Sequence, residues 1–226
     1  MSADEPVSPA SRWRWWMITL AVLGIMGLAF AIGRFSTFGA NSVGAHPTSS
    51  SAEAGFSRDM QVHHAQAIEM AMEIYRKTDD DELRVLAYDI ATGQAGQRGE
   101  MFDWLVQWGL PQGGGSMMAW MAASEAGHDH GVPADEPLTD AEAEAVMGMA
   151  STVELTALSA ATGLEADCLF LELMIRHHEG AIPMADAVVE LGSDARVLEV
   201  AGSIIAGQTA EIDAMESIQT RIGCTS

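Results

Sequence analysis

The sequence predicts an all-α fold, a four-helix bundle made of two copies of one helical hairpin, preceded by one N-terminal transmembrane helix. Three observations support this prediction. Residues 56–109 repeat as residues 170–223 without a gap, apolar residues within the repeats recur every three or four positions, and one long uncharged segment lies near the N-terminus. A repeat of this length indicates one supersecondary unit used twice, and the spacing is typical of helices that pack side by side.

The uncharged segment predicts where the protein resides. Residues 15–34 are apolar up to the closing Arg34, follow Arg12 and Arg14, and precede almost all of the acidic residues. A segment of this length can span a bilayer, and the basic residues ahead of it keep residues 1–14 in the cytoplasm. The expected location is the cell membrane, single-pass, with the C-terminal domain on the periplasmic or cell-wall side. A cleaved signal peptide is the alternative.

The rest of the chain divides into a linker and one domain. Residues 35–54 are rich in Ser, Gly and Ala, which is typical of a flexible linker. Residues 55–223 form the predicted bundle domain, in which the repeats 56–109 and 170–223 flank an insert at 110–167.

Capping residues predict where the helices begin and end. In the first repeat, we expect Ser57 to cap the first helix and the polar residues 78–82 to end it, with Asp79 and Glu82 as a capping box for the second helix. Gly109 ends the second helix. In the second repeat, we expect Gly163 to precede the first helix, Gly192 to lie in the turn and Gly223 to end the second helix.

The inward face of each second helix is apolar except for one polar layer. In the first repeat this face comprises Leu83, Ala87, Ile90, Gln94, Gln97, Met101, Trp104 and Trp108, and in the second Val197, Ala201, Ile204, Gln208, Glu211, Met215, Ile218 and Ile222. A buried amide or carboxylate needs a partner. Gly93 and Gly207, beside this layer, are expected to let the helices approach closely.

The inward face of each first helix carries histidine and methionine. Successive residues turn by about 100°, so Met60, His63 and Met70 share one sector, and His64 lies at its edge. The second repeat reproduces this set as Met174, His177, His178 and Met184. Folding each hairpin at its turn places the histidines beside Gln94 and Gln208, and Met60 and Met174 beside Gln97 and Glu211. The polar layer and the histidines are therefore expected at one level.

Imidazole and thioether together favour copper, and thioether favours Cu(I). The predicted ligands are the four histidines His63, His64, His177 and His178 and the four methionines Met60, Met70, Met174 and Met184. Zinc is a further option, because histidine and Glu211 can supply tetrahedral ligands. The competing interpretation is that the histidines only bond glutamine and stabilise the core. A di-iron site is disfavoured because neither repeat contains Glu-x-x-His, and the spacing leaves open whether the two faces meet.

The insert contains further soft ligands. Secondary candidates for metal binding are Met117, Met118, Met121, His128, His130, Met147 and Met149. The sequence GHDHG at 127–131 is expected to be exposed and to collect copper. The alternative is that the methionines form a hydrophobic lid over the bundle. Two Ser/Thr-x-x-Glu motifs predict short helices at 139–147 and 151–161.

Charge and cysteine content restrict the partners and the compartment. The formal charge of −21 lies almost wholly on residues 53–226, which argues against nucleic acid and anionic lipid and favours cations or basic proteins. An acidic surface also keeps an exported domain soluble. Cys168 lies near the start of the third long helix and Cys224 just after the fourth, and these ends are neighbours in an antiparallel hairpin. We therefore predict a disulfide, which export to an oxidising space permits.

Several motifs together resemble one known family. They are the repeated His-His, the Ala-Ile-x-Met-Ala that follows it, Met-Ala-Trp-Met in the insert and Met-Gly-Met before the second repeat. Over residues 55–222 the chain resembles the exported family catalogued as domain of unknown function 305. The resemblance implies a ferritin-like four-helix bundle and, because some relatives are associated with copper binding and resistance, adds weight to the histidines. Met147-Gly148-Met149 departs from the expected Met-Pro-Gly-Met, which weakens this loop as a ligand.

Two functions follow as expectations. The first is a membrane-anchored extracytoplasmic protein that buffers or delivers copper. The alternative is an accessory subunit with structural histidines that docks on a membrane complex, such as a respiratory complex, or on a basic redox protein. No Ser-His-Asp order, phosphate loop or dinucleotide fingerprint occurs. No catalytic residue is therefore assigned, and a metal-dependent oxidoreductase has only fold analogy behind it.

Overall fold

The computed structural model describes residues 16–17, 46–123 and 138–224. The chain divides into two units, Met1–His46 and Pro47–Ser226, and the fold given below is that of the second. It is all-α, with no strand among the described residues. The helices are α1 (Ala52–Lys77), α2 (Asp81–Gln107), α3 (Asp140–Val146), α4 (Thr152–Ala160), α5 (Gly163–Leu191) and α6 (Ala195–Ile222), with a 3-10 helix at Ala119–Ala123.

The four long helices pack as two antiparallel hairpins joined along α1 and α5. Helix α1 packs against α2 and α5, α6 packs against α5, and α2 touches α6 at fewer points. Two contacts fix the directions. The Glu53 carboxylate at the start of α1 accepts the Ser193 N–H after the end of α5 at 2.7 Å, and Arg221 in the last turn of α6 pairs with Asp80 before α2 at 2.8 Å. The two hairpins are thus related by an approximate twofold axis.

Helix α1 begins earlier than predicted. Ser51 is the N-cap, because its hydroxyl accepts the Ala54 N–H at 3.3 Å. Ser57 lies inside the helix and donates to the Glu53 carbonyl at 2.7 Å. The prediction of a Ser57 cap was wrong, and the helix enters the segment assigned to the linker, because Ser51 offers the same oxygen one and a half turns earlier. At the next turn Asp80, rather than Asp79, caps α2 and accepts the Leu83 N–H at 2.9 Å.

Most of the other predicted boundaries are confirmed, but Gly163, which was expected to precede α5, is its first residue and Thr162 is the N-cap. Gly109 follows α2 and Gly223 caps α6, both in the left-handed region. Thr139 and Ser151 begin α3 and α4 with complete capping boxes. The structure also pairs Cys168 with Cys224, whose Cα atoms lie 5.5 Å apart, so the predicted disulfide joins the start of α5 to the end of α6.

The core is divided into two apolar clusters. The first contains Phe56, Met60 and Met184, together with methionines of the insert. The second contains Met70 and Met174, together with aliphatic residues at the other end of the bundle. All four flanking methionines of the repeats are buried. The twofold relation places one methionine from each repeat in each cluster.

The predicted transmembrane helix at 15–34 lies outside the described residues except for Trp16 and Met17. Within the part of the chain that the structure describes, none of the helices is long and apolar enough to cross a membrane.

Candidate metal centre

The four histidines form one fully buried layer between the two clusters. His63, His64, His177 and His178 all have a relative exposure of 0%. The rings of His63 and His177 lie in contact, with their centroids 3.6 Å apart and their planes tilted by 32°, whereas the rings within each pair are 6.4 and 6.2 Å apart. The two histidine faces therefore meet at the centre of the bundle, which the sequence left open.

The outer histidines, His64 and His178, each bond a side chain of the neighbouring helix. His64 Nε2 lies 2.8 Å from Gln97 Oε1, and His178 Nε2 lies 2.7 Å from Glu211 Oε2. The two contacts occupy equivalent places in the repeats, but one acceptor is a neutral amide and the other is a carboxylate. An oxygen acceptor requires the hydrogen to be on Nε2, which leaves the lone pair of a neutral imidazole on Nδ1.

The central histidines, His63 and His177, face backbone carbonyls. His63 Nε2 lies 2.9 Å from the Met147 carbonyl oxygen in the insert. His177 Nε2 lies 3.1 Å from the carbonyl oxygen of His63 itself. The same tautomer follows for both rings, with the hydrogen on Nε2 and the lone pair on Nδ1.

All four Nδ1 atoms are buried without a hydrogen-bond partner among the described residues. A buried nitrogen acceptor in this state is costly, and repetition in four rings makes an isolated packing defect a poor explanation. Histidine ligands of metals typically donate the opposite ring N–H to a carbonyl or carboxylate, as these do. The arrangement fits four nitrogens whose lone pairs are available to coordinate a metal ion.

Burial lowers the pKa of three imidazoles of the layer, those of His63, His64 and His177. Burial lowers the pKa of His63 to about 4, although the hydrogen bond to the Met147 carbonyl raises this pKa in part. It lowers the pKa of His64 to about 3, and neighbouring His63 adds to the effect. Burial also holds the pKa of His177 well below its usual value. Metal binding requires neutral imidazole, so no proton has to leave these three rings near neutral pH.

The polar partners lie one turn further along than predicted. The sequence placed His64 beside Gln94 and His178 beside Gln208, but the bonded residues are those of the next turn. The same displacement occurs in both hairpins, and the later start of α2 at its Asp80 cap accounts for part of it in the first. Gln94 and Gln208 stay buried with 3% exposure each, and their side-chain amides have no partner in the described parts of the chain.

A tight loop of the insert, residues 147–150, closes the layer. Gly148 has φ +69°, and a Cβ there would lie 2.2 Å from the Arg176 carbonyl oxygen, whereas a Cβ on Gly180 would lie 1.9 Å from the Met147 carbonyl oxygen. On the other side, Gln66 accepts the Ala150 N–H at 2.6 Å and donates to its carbonyl at 2.9 Å. Sequence reasoning missed this loop. The available signal was a difference between the repeats. Gln66 in the first repeat is replaced by Gly180 at the equivalent position of the second, and both residues contact this loop.

The predicted close approach at Gly93 and Gly207 was wrong. Both glycines are exposed, and a Cβ on either would meet nothing within 4 Å. They lie on the outer side of α2 and α6, whereas the close approach occurs between α5 and the insert.

The methionines of the insert lie on one side of the layer. Met118, Met121, Met147 and Met149 are buried in the first cluster, and Met117 packs against it. Trp120 anchors the segment through its Nε1–H, which donates to Asp59 at 2.8 Å. These contacts fit the hydrophobic lid, and a ligand role for these sulfurs stays a prediction. His128 and His130 lie outside the described residues.

The layer is not a site made by imidazole and carboxylate alone. Among the described residues, no three His, Cys, Asp or Glu side chains are grouped so that they could hold one ion. Completing a coordination sphere therefore requires other donors, and the buried thioethers on both sides of the layer are the chemically suitable ones.

These features define a class: an all-α bundle whose core contains a duplicated imidazole layer between two methionine-containing clusters. The chain belongs to the family described as Domain of unknown function (DUF305), whose profile matches residues 53–219. The match confirms the resemblance seen in the sequence.

Solved structures of other proteins have the same fold. A DUF305 protein of Streptomyces coelicolor, described as secreted, is 37% identical with a TM-score of 0.66, covering 78% of this chain and 95% of its own. A DUF305 fragment from Deinococcus radiodurans is 32% identical with a TM-score of 0.61, covering 75% and 96%. CopM in its Cu(I)-bound form is 25% identical with a TM-score of 0.53, covering 76% and 96%. No curated protein matches the chain.

Proposed function

We propose that this protein binds Cu(I) outside the cytoplasm and buffers it or passes it on. The single observation that carries the proposal is a set of four buried Nδ1 atoms that have no hydrogen-bond partner within residues 46–123 and 138–224, each on a ring whose Nε2 faces an oxygen acceptor. This geometry leaves four lone pairs available for metal coordination, and it destabilises the fold as long as these lone pairs have neither a hydrogen bond nor a metal ion to bind.

The surrounding donors favour copper over zinc or calcium. Calcium and magnesium prefer oxygen ligands, and a structural zinc site uses four thiolate, imidazole or carboxylate ligands around one point. Thioether sulfur is a soft donor that selects Cu(I). Met60 and Met184 on one side of the layer, and Met70 and Met174 on the other, supply such donors from both repeats.

Relatives support the same ligand class. CopM has a Cu(I)-bound form and, at 26% identity, a silver-bound form. Silver and Cu(I) are both soft monovalent ions. The Streptomyces relative described as secreted supports an extracytoplasmic location, for which residues 15–34 would serve as the membrane anchor.

The test is a Cu(I) titration of the full chain against a competing chelator. One variant replaces the four repeat methionines, Met60, Met70, Met174 and Met184, by leucine, which has similar volume and costs little packing energy. A second is His177→Gln, whose amide can still donate to the His63 carbonyl. We expect each to weaken Cu(I) binding by at least about tenfold.

The control for the methionine variant is Met72→Leu, on the same helix as Met60 and Met70 but outside their sector and only partly buried. Circular dichroism and urea unfolding establish that each variant is folded. Unchanged Cu(I) affinity in both test variants, with the fold intact, refutes the proposal.

The accessory subunit with structural histidines remains a second candidate, and the direct contact between the His63 and His177 rings, whose centroids are 3.6 Å apart, is the observation that favours it. Such a subunit would keep a stoichiometric partner, either a membrane complex or a basic redox protein, after chelation. Affinity capture from solubilised membranes with and without a Cu(I) chelator separates the two functions. A partner that survives chelation, together with absent copper binding, supports docking.

A further inference from the structure

The outer face of α2 carries an exposed apolar stripe that the core does not use. Val85, Tyr88, Phe102 and Val106 are 62, 51, 51 and 55% exposed. The same three- and four-residue spacing continues between them through the exposed Thr92, Ala95 and Gly99. These seven residues are called the α2 stripe. They lie on the side of the helix opposite Leu83, Ile90 and Met101, which are fully buried.

The spacing of the α2 stripe is a heptad pattern over three heptads. Val85, Thr92, Gly99 and Val106 occupy one heptad position, and Tyr88, Ala95 and Phe102 the other. An apolar seam of this period is what a helix presents to another helix in a coiled coil. The small residues at the centre permit a close approach of the two axes, and the larger ones at both ends fill the wider space.

The twin helix α6 lacks this stripe, although it arose from the same repeat unit. The positions equivalent to Val85, Gly99 and Phe102 are Glu199, Asp213 and Glu216, all exposed. A solvated outer face therefore suits this hairpin fold, and the apolar face of α2 is a property of one hairpin only.

We propose that the α2 stripe pairs with the same stripe of a second copy of this chain, with the two α2 helices parallel. The charges beside the stripe select this partner. Arg84 and Arg98 lie along one edge, and Asp89 and Asp103 lie along the other. In a parallel pair, a residue of the first edge faces the partner residue five positions further on, so Arg98 meets the partner's Asp103 and Arg84 meets the partner's Asp89.

The alternative orientation is disfavoured by the same charges. Antiparallel pairing brings arginine edges together and aspartate edges together. Arg84 also donates to the carbonyls of Tyr75 and Thr78 within its own chain. Asp103 accepts a hydrogen bond from the Gln107 side chain within its own chain, but a carboxylate has further acceptor sites. The main cross-pair is therefore Arg98 with the partner's Asp103, formed twice by symmetry.

The net charge does not prevent this pairing. The formal charge of −21 repels a second copy, but at physiological ionic strength this repulsion is screened over about 8 Å. Only groups near the stripe then count, and these include both signs. The pairing is independent of copper, because no residue of the stripe belongs to the histidine layer.

The first experiment measures the molar mass of the full chain by sedimentation velocity in one detergent at several concentrations. Val85→Glu and Phe102→Glu copy the residues at the twin positions of α6, so they suit an exposed helix. We expect a wild-type dimer and a dissociation constant raised at least about tenfold in each variant, because the interface must then bury a charge. The control Thr220→Glu, at the α6 position equivalent to Val106, leaves the dimer intact.

The second experiment tests orientation by cysteine crosslinking of the full chain in membranes. Val85→Cys and Val106→Cys each give a crosslinked dimer if the helices are parallel, whereas antiparallel helices crosslink only a mixture of the two variants. Arg98→Asp and Asp103→Arg each weaken pairing alone and restore it when the two variants are mixed. A monomeric wild type, a dimer unaffected by both glutamate variants, an antiparallel crosslink, or capture of a different protein by a monomeric chain overturns the proposal.

Discussion

Replacing Gly180 by alanine tests whether the loop at 147–150 is held against α5 as tightly as the structure has it. A Cβ at this position lies 1.9 Å from the Met147 carbonyl oxygen and 2.7 Å from the Gly148 nitrogen. Both neighbours are backbone atoms that cannot rotate away. The loop must retreat by about 1.5 Å to reach normal contact distance, and the hydrogen bond of 2.9 Å from His63 to the same carbonyl is then lost.

The magnitude follows from three contributions. Overpacking a tight contact costs about 1–3 kcal/mol, and an unsatisfied buried imidazole N–H costs about 1–3 kcal/mol more. Alanine in place of glycine inside a helix returns about 1 kcal/mol. Gly180→Ala should therefore lower the free energy of unfolding by about 3 kcal/mol.

Gly93→Ala provides the matched control. It is also a helical glycine, but its added Cβ meets nothing within 4 Å, so this variant should be more stable than the wild type by about 1 kcal/mol. Urea unfolding of the three chains side by side measures the difference, which we expect to be about 4 kcal/mol between the variants. Equal stability of the two variants would refute the close approach of loop and helix.

Three further predictions concern pH, the unequal halves of the layer and the disulfide. Burial lowers the pKa of His63 to about 4 and of His64 to about 3, so below pH 6.5 the unfolded chain takes up protons that the folded chain refuses. Urea titrations between pH 6.5 and 5 should show that the free energy of unfolding decreases as the pH is lowered, with a slope that approaches about 1.4 kcal/mol per pH unit for each histidine. A free energy of unfolding that does not change over this range contradicts the burial of the two rings. Glu211→Gln should weaken Cu(I) binding by about tenfold, and Gln97→Glu should strengthen it. If the chelator titration shows the same Cu(I) affinity for both variants as for the wild type, the hydrogen bonds of His64 and His178 have no role in copper binding. Cys224→Ser should lower the free energy of unfolding in urea by about 4 kcal/mol. A decrease of less than about 1 kcal/mol would mean that the disulfide does not restrict the unfolded chain.

The repeat explains why so much of the fold followed from the sequence. The apolar positions of the seam and the inward histidines were confirmed in both repeats, because one packing solution had to satisfy both copies. Two other paired assignments failed, namely the close approach at Gly93 and Gly207 and the placement of the histidines beside Gln94 and Gln208. The capping boxes at Thr139 and Ser151 were also predictable, since they depend on residues three apart in the chain.

The errors arose where contacts connect distant segments or where the exact turn decides the register. Ser51 and Ser57 are equally good caps in isolation, and only tertiary packing of the first turn of α1 selects Ser51. The partners of the outer histidines lie three residues beyond the predicted ones in both hairpins, because a small change in where a hairpin turns is doubled in the position that faces a given residue. Gly180 looked unremarkable beside Gly93, because its role depends on a loop whose path across α5 no local pattern encodes.

The duplicated histidine layer also bears on how such a chain could have originated. Removing the loop that carries Met147 would deprive only His63 of its hydrogen-bond acceptor, because the other three rings bond to atoms of the hairpins themselves. Two separate hairpins could thus assemble the same interior as a homodimer before any fusion of their genes. Once joined in one polypeptide, the halves were free to diverge, and the exchange of amide for carboxylate opposite His178 is the kind of specialisation that a strictly symmetric ancestor could not have acquired.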